Sequence, residues 1–283
     1  MTWNILLPFD GIKSAIYSVR YALDFAQILD ANLYVLHIVN QKAYSSTKKI
    51  LKKGDKQTKA YCLNRMTGIF DEVKKEVNKR KFNKCFFEVK FSAHIEEGIA
   101  NFAKEKKINL CVIQPSPYAH MEFVGDLAMK ITSKLNSPVL FIKTKKMIKT
   151  EPKFFVPIDE NEDNLTSIRL AVDLAEKARA EIVFYHTTWT RRELTSCDPI
   201  EHCLEEVKKN IKISEEYAQT KKIKFKTLVR TDDWIAGGII RAAVENEADV
   251  IFMTESTSLI GGQPTLVLKN SMYPMILVKK WQK

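Results

Sequence analysis

Apolar residues along this chain fall into two alternating rhythms. Short solid runs, such as Ile5-Leu-Leu-Pro and Phe154-Phe-Val-Pro, stop at a proline followed closely by an aspartate. Longer stretches place apolar residues at every third or fourth position, as at Ile16, Val19, Ala22, Leu23, Ala26 and Leu29. The first rhythm suits a strand buried on both faces, the second a helix with one inward stripe. The pattern predicts strands over 3–8, 33–39, 85–91, 109–113 and 138–143. Helices are predicted over 13–29, 95–107 and 123–135, the last with Leu127, Ala128, Ile131 and Leu135 inward, and Asp30-Ala-Asn stops the first of them. Residues 41–84 carry Lys48, Lys49, Lys52, Lys53, Lys56 and Lys59 ahead of an apolar series from Tyr61 to Val77, and read as a basic loop leading into a long amphipathic helix.

The second half repeats the order, with strands over 153–158, 181–187, 223–229, 249–254 and 274–279. Its helices are predicted over 164–178, 200–219, 234–246 and 263–270. The repetition extends to residues. Pro8, Asp10, Ser18, Arg20, Asp24 and His37 match Pro157, Asp159, Ser167, Arg169, Asp173 and His186 without a gap. Further on, Gly98 matches Gly238, Ala103 matches Ala243 and Pro138 matches Pro274. One register kept this long is an internal duplication. Strands alternating with helices make each copy an open parallel α/β sheet with right-handed crossovers. The expected domains are residues 1–147 and 151–283, with the polar stretch 144–153 as linker.

Charge sharpens the contrast between the copies. Residues 1–150 hold 26 Lys and Arg against 13 Asp and Glu, whereas residues 151–283 hold 19 against 21, so the whole net charge of +11 comes from the first copy. The basic run 48–59 is read as a solvated surface; nucleic acid is disfavoured because only Tyr44 and Tyr61 could stack on bases. No apolar run reaches the roughly 18 residues of a membrane span. Five cysteines without Cys-x-x-Cys argue against a disulfide framework, and the cytoplasm is the expected compartment. Cys197, His202 and Cys203 have no standard zinc spacing, and no metal site is expected. His37 and His186 are read as buried histidines bonded to backbone rather than as catalysts. The sequence has no Walker loop and no Gly-x-Ser-x-Gly.

Each copy resembles the universal stress protein family. The residues that carry the likeness are Ile5-Leu-Leu-Pro-Phe-Asp-Gly, Leu33-Tyr-Val-Leu-His-Ile-Val, Gly98-Ile-Ala-Asn-Phe-Ala and Ser137-Pro-Val-Leu-Phe-Ile-Lys. In the second copy they are Val156-Pro-Ile-Asp, Gly238-Ile-Ile-Arg-Ala-Ala and Tyr273-Pro-Met-Ile-Leu-Val-Lys. The resemblance implies two tandem five-stranded parallel-sheet sandwiches, the adenine nucleotide alpha hydrolase-like fold, forming an internal pseudo-dimer. It also implies an ATP site in many members, where glycines after the fourth strand and at the last helix let backbone N–H groups meet phosphate. Onto that pattern fall Asp10, Gly125, Asp159, Gly261 and Gly262. The first two glycine positions are Gln114 and Pro117 in one copy, Thr254 and Thr257 in the other. Proline has no N–H to offer, and Asp126 puts negative charge beside Gly125. The nucleotide loops therefore read as degenerate. The expected function is a non-enzymatic stress-response binding or signalling protein, acting through itself and an unknown small ligand. The alternatives are an ATP-binding switch or weak ATPase using Asp10 or Asp159, and a small-molecule or lipid carrier using the vacated crevice.

Overall fold

The helices of this chain end in one recurring way that delivers it to the next strand. In the computed structural model, which describes residues 2–11, 15–52, 54–115, 125–161, 164–189, 200–255 and 262–279, α1 (Ile16–Ile28) closes with Asp30 N–H on the Gln27 carbonyl and Ala31 N–H on the Ala26 carbonyl. Asp30 is left-handed at φ +51° and Ala31 is buried. This is the Schellman arrangement, with its apolar contact one residue beyond the left-handed turn. It recurs at Lys81 after α4 (Asp71–Arg80), at Lys107 after α5 (Ile95–Glu105), at Lys222 after α8 (Ile200–Thr220) and at Glu247 after α9 (Ile235–Glu245). Arg179, left-handed at φ +53°, stands in the same place after α7 (Asn164–Ala178). The position is equivalent in the two halves, yet among these residues glycine is never used.

The described residues divide into two compact units between Met147 and Ile148. In the first, β1 (Asn4–Pro8), β2 (Asn32–Asn40), β3 (Cys85–Ser92), β4 (Leu110–Ile113) and β5 (Val139–Phe141) lie in the order β3-β2-β1-β4-β5. In the second, β6 (Lys153–Pro157), β7 (Glu181–Trp189), β8 (Phe225–Asp232), β9 (Val250–Thr254) and β10 (Met275–Val278) lie in the order β10-β9-β6-β7-β8. All pairings within each unit are parallel. The order reverses at β1 and at β6. Right-handed crossovers then put the helices before and after that reversal on opposite faces. α1 packs on α4, and α5 on α6 (Asp126–Lys134); α7 packs on α8, and α9 on α10 (Gln263–Asn270). The central strands are buried throughout, with Ile5, Leu6, Phe154, Phe155 and Val156 at zero exposure. That explains why they read as solid apolar runs rather than as alternation.

Two expectations are corrected. The basic stretch 41–59 is not a loop: it lies in α2 (Gln41–Leu51) and the first part of α3 (Asp55–Thr67). Lysine, glutamine and alanine are good helix formers, and Tyr44 anchors the segment by packing against Val39, Val89 and Phe91. The long helix expected to follow is divided by a 3-10 turn at Gly68–Phe70. Leu127, expected inward, is 46% exposed, because α6 begins only at Asp126 and its first turn stands clear of the core. Ala128, Ile131 and Leu135 are buried as expected.

Candidate functional site

At β1 and its parallel neighbour β4 the strand order reverses, and beyond the carboxyl ends of these strands lies a cleft of about 280 Å³ in the first unit. Pro8, Phe9 and Asp10 form one wall as they leave β1, and Gln114 and Pro115 another as they leave β4. Leu36, His37 and Ile38 come from β2, Ile95 and Ile99 from α5, and Gly125, Leu127, Ala128 and Ile131 from the start of α6. Most of the lining is thus aliphatic. Its polar points are Asp10, Ser18, His37 and Gln114. Gly125 sits at φ +84° and caps α6, where its carbonyl accepts from Met129 N–H at 3.1 Å. That left-handed backbone favours glycine. Asp10 is exposed at the rim. Asp10 and Gly125, the first-copy residues assigned by resemblance, are therefore brought to one cleft.

His37 Nδ1 lies 2.8 Å from the Phe9 carbonyl oxygen. A carbonyl only accepts, so Nδ1 carries the proton, and in the neutral ring Nε2 is left as an acceptor. The second unit repeats the bond, with His186 Nδ1 2.7 Å from the Ile158 carbonyl oxygen. His186 is buried and His37 half-buried, as expected of backbone-bonded histidines.

Around that bond the second unit adds two asparagine side chains. Asn164, the first residue of α7, donates to the Pro157 carbonyl at 3.3 Å, and Asn210 of α8 donates to the Asp159 carbonyl at 2.9 Å. Three successive carbonyls, 157 to 159, thus each receive one side-chain N–H. The remaining atoms, Asn164 Oδ1, Asn210 Oδ1 and His186 Nε2, are buried acceptors without a hydrogen-bond partner among the described residues. Asp159 Oδ1 accepts from Asn161 N–H at 3.0 Å, and the Asn161 carbonyl receives Asn164 N–H at 3.0 Å. The aspartate is a turn carboxylate that sets the entry into α7. Burial pushes its carboxyl above the ordinary aspartate range, against the hydrogen bonds from Asn161. An acid with a raised folded pKa is penalised once ionised, so its contribution to stability falls as pH rises from the ordinary value near 3.8. Asp159→Asn keeps the turn acceptor and removes the charge. It is expected to melt within about 1 kcal/mol of the parent, and no lower, at neutral pH. It should also lack the parent's decline on leaving acid; thermal melts across pH test this.

Gly262 caps α10 in an extended conformation, followed by Gln263 and Pro264 in the first turn. Gly261 lies outside the described residues, as do Pro117, Thr257 and Cys197, and so do the side chains of His202 and Cys203. Among the described residues no group of three His, Cys, Asp or Glu is placed to hold a metal, and no helix is long and apolar enough to cross a membrane. Asn210 was not singled out from sequence. Its signal was there, because Val207, Asn210, Ser214 and Ala218 form one buried stripe of α8, and a polar residue on such a stripe needs a partner.

The Universal stress protein family model matches residues 1–143. The chain is similar to the crystal structure of a universal stress protein from Archaeoglobus fulgidus DSM 4304, with a TM-score of 0.71, 13% identity and 98% of each chain covered. It is also similar to that of a functionally unknown protein from Pseudomonas aeruginosa PAO1, with a TM-score of 0.67, 15% identity, and 99% of this chain and 93% of that one covered. At such identities the likeness concerns the fold. No curated protein matches the chain.

Proposed function

We propose, starting from a chain that belongs to the universal stress protein family, that it acts by binding rather than by turnover, as a cytoplasmic tandem stress-response protein. Its first-unit cleft takes a small ligand with an apolar body and a polar tip, in place of a triphosphate. The observation that carries this reading is the lining. Ile38, Ile95, Ile99, Ile113, Leu127 and Ile131 face the same space in which Pro115 lacks an N–H and Asp126 charges the helix start negatively. Aliphatic walls with a few placed polar groups suit a small molecule, and the volume lies near the lower bound of about 300 Å³ for such sites. A phosphate chain would instead need bare backbone amides and positive charge. Loading of the cleft would then be passed on through the protein surface.

Native mass spectrometry of the purified protein, joined to a thermal-shift series with ATP, tests the proposal. A co-purifying small molecule that is lost in Ile131→Gln, with no shift at submillimolar ATP, is the expected result. A clear ATP shift overturns it, since a nucleotide at about 100 times its Kd would stabilise the fold by about 2.7 kcal/mol. One observation favours that second reading: Asp10 and Gly125 share the cleft. It predicts an ATP shift that disappears in Asp10→Ala.

A further inference from the structure

We propose that the helical hairpin of α2 and α3 docks the first unit on the surface of an anionic lipid bilayer. Residues 41–67 hold eight Lys and Arg against one acidic residue, Asp55. That carboxylate is engaged inside the hairpin. Lys48 Nζ lies 2.5 Å from Asp55 Oδ1, and the Tyr44 hydroxyl donates to the Asp55 carbonyl at 3.1 Å. Thr58 closes the turn by donating its hydroxyl to the Gly54 carbonyl at 3.0 Å. The anchored side faces the sheet through Tyr44, whose ring meets Phe91 edge-on at 5.4 Å.

Most of the other described side chains of the hairpin are exposed, Thr58 excepted. Lys49, Lys52 and Lys56 are exposed, whereas the Lys59 ammonium lies over the Phe91 ring, 6.0 Å from its centre. Lys56, Ala60 and Leu63 follow each other at three-to-four spacing and so share one face of α3, and each is exposed. Ile50, beside the tip, is 80% exposed, and Leu63 is 40% exposed. A solvated basic surface has no use for large aliphatic side chains in that position. Cationic heads interleaved with aliphatic groups match the interface of a bilayer, where lysines meet anionic headgroups and apolar groups enter the acyl boundary. A single-stranded nucleic acid would want aromatic platforms, and in this segment Tyr61 is exposed while Tyr44 is buried. No described helix spans a membrane, so the attachment is peripheral.

The full chain, sedimented with phosphatidylcholine vesicles with and without phosphatidylserine, gives the test. Binding is expected only to the anionic vesicles and should weaken as salt rises. In the triple variant Lys49→Gln and Lys56→Gln keep good helix formers in α2 and α3, and Lys52→Gln changes a turn residue between them. At about fivefold per lysine they should weaken binding on the order of 100-fold. Ile50→Ser, which leaves the charge unchanged, should weaken it by about tenfold. Unchanged circular dichroism shows that the variants fold. The proposal is overturned if the parent ignores anionic vesicles or if the triple variant binds as the parent does. It is equally overturned if Ile50→Ser has no effect while RNA competes the vesicles off, which would make the partner a nucleic acid.

Discussion

Replacing Phe154 with alanine is expected to lower the stability of the second unit by about 3–5 kcal/mol. Its side chain is fully buried on β6, with the Phe252 ring of β9 at 4.9 Å. β6 is bonded to β7 on one side and to β9 on the other, so the backbone cannot close over the space left behind. The cost is therefore the lost transfer energy together with a persistent cavity. Phe86→Ala supplies the contrast. That ring stacks on Tyr34 at 5.0 Å but is 43% exposed on the edge strand β3, and its loss should cost only about 1 kcal/mol. Denaturant melts followed by circular dichroism compare the two. Equal losses would show that burial does not rank these positions.

Arg80→Met should cost the first unit about 2–3 kcal/mol. The guanidinium Nε donates to Asp24 Oδ1 at 2.6 Å and Nη1 donates to Glu76 Oε2. Glu76 Oε1 accepts from Arg20 Nε at 2.9 Å, so the group ties α1 to α4. Glu76 and Asp24 are only 11% and 23% exposed at the side chain, and removing Arg80 leaves buried negative charge short of its partner. The figure sits below the roughly 3–5 kcal/mol of a fully buried pair because water still reaches the edge of this one. The same group sets an acid limit. Burial alone would raise the Glu76 pKa, but the hydrogen bonds from Arg20 and Arg80 outweigh it and hold the carboxyl below its ordinary value of 4.5. A depressed carboxylate contributes stability above that ordinary value and loses it as pH falls through the folded one. The parent should therefore weaken below about pH 4.5, and Glu76→Gln should flatten that decline. Adding Glu76→Gln to Arg80→Met should recover part of the loss, since the orphaned charge goes with it.

The fold was legible because each strand is a solid apolar run and each half repeats the other, so one reading checked the second. Helix 164–178 and helix 263–270 are found at their expected bounds. The stretch 41–59 reads as a loop because lysine density signals solvation, while helix formation there also depends on Tyr44 of α2 finding Phe91 of β3. The same kind of distance hid the cleft. Asp10 and Gly125 could be assigned from the family pattern, but Ile38, Ile99 and Ile131 come from three elements. Each reads separately as ordinary core, and only the topology turns them toward one space. The Asn210 bond to the Asp159 carbonyl was hidden for the same reason, joining residues 51 apart.

The left-handed turn that ends each of six helices lies where a helix hands over to the start of a strand, at the amino ends of the strands of its own unit. A side chain in that conformation costs roughly 1–2 kcal/mol, of which glycine would relieve part. At Asp30 the side chain has a second use, since its carboxylate holds Lys84 Nζ at 2.5 Å. Lys81, Lys107, Arg179 and Lys222 are the places where heat tolerance could be raised residue by residue. Because Lys81 and Lys107 sit a full strand length from Asp10 and Gly125 of the same unit, robustness and recognition are separately adjustable there.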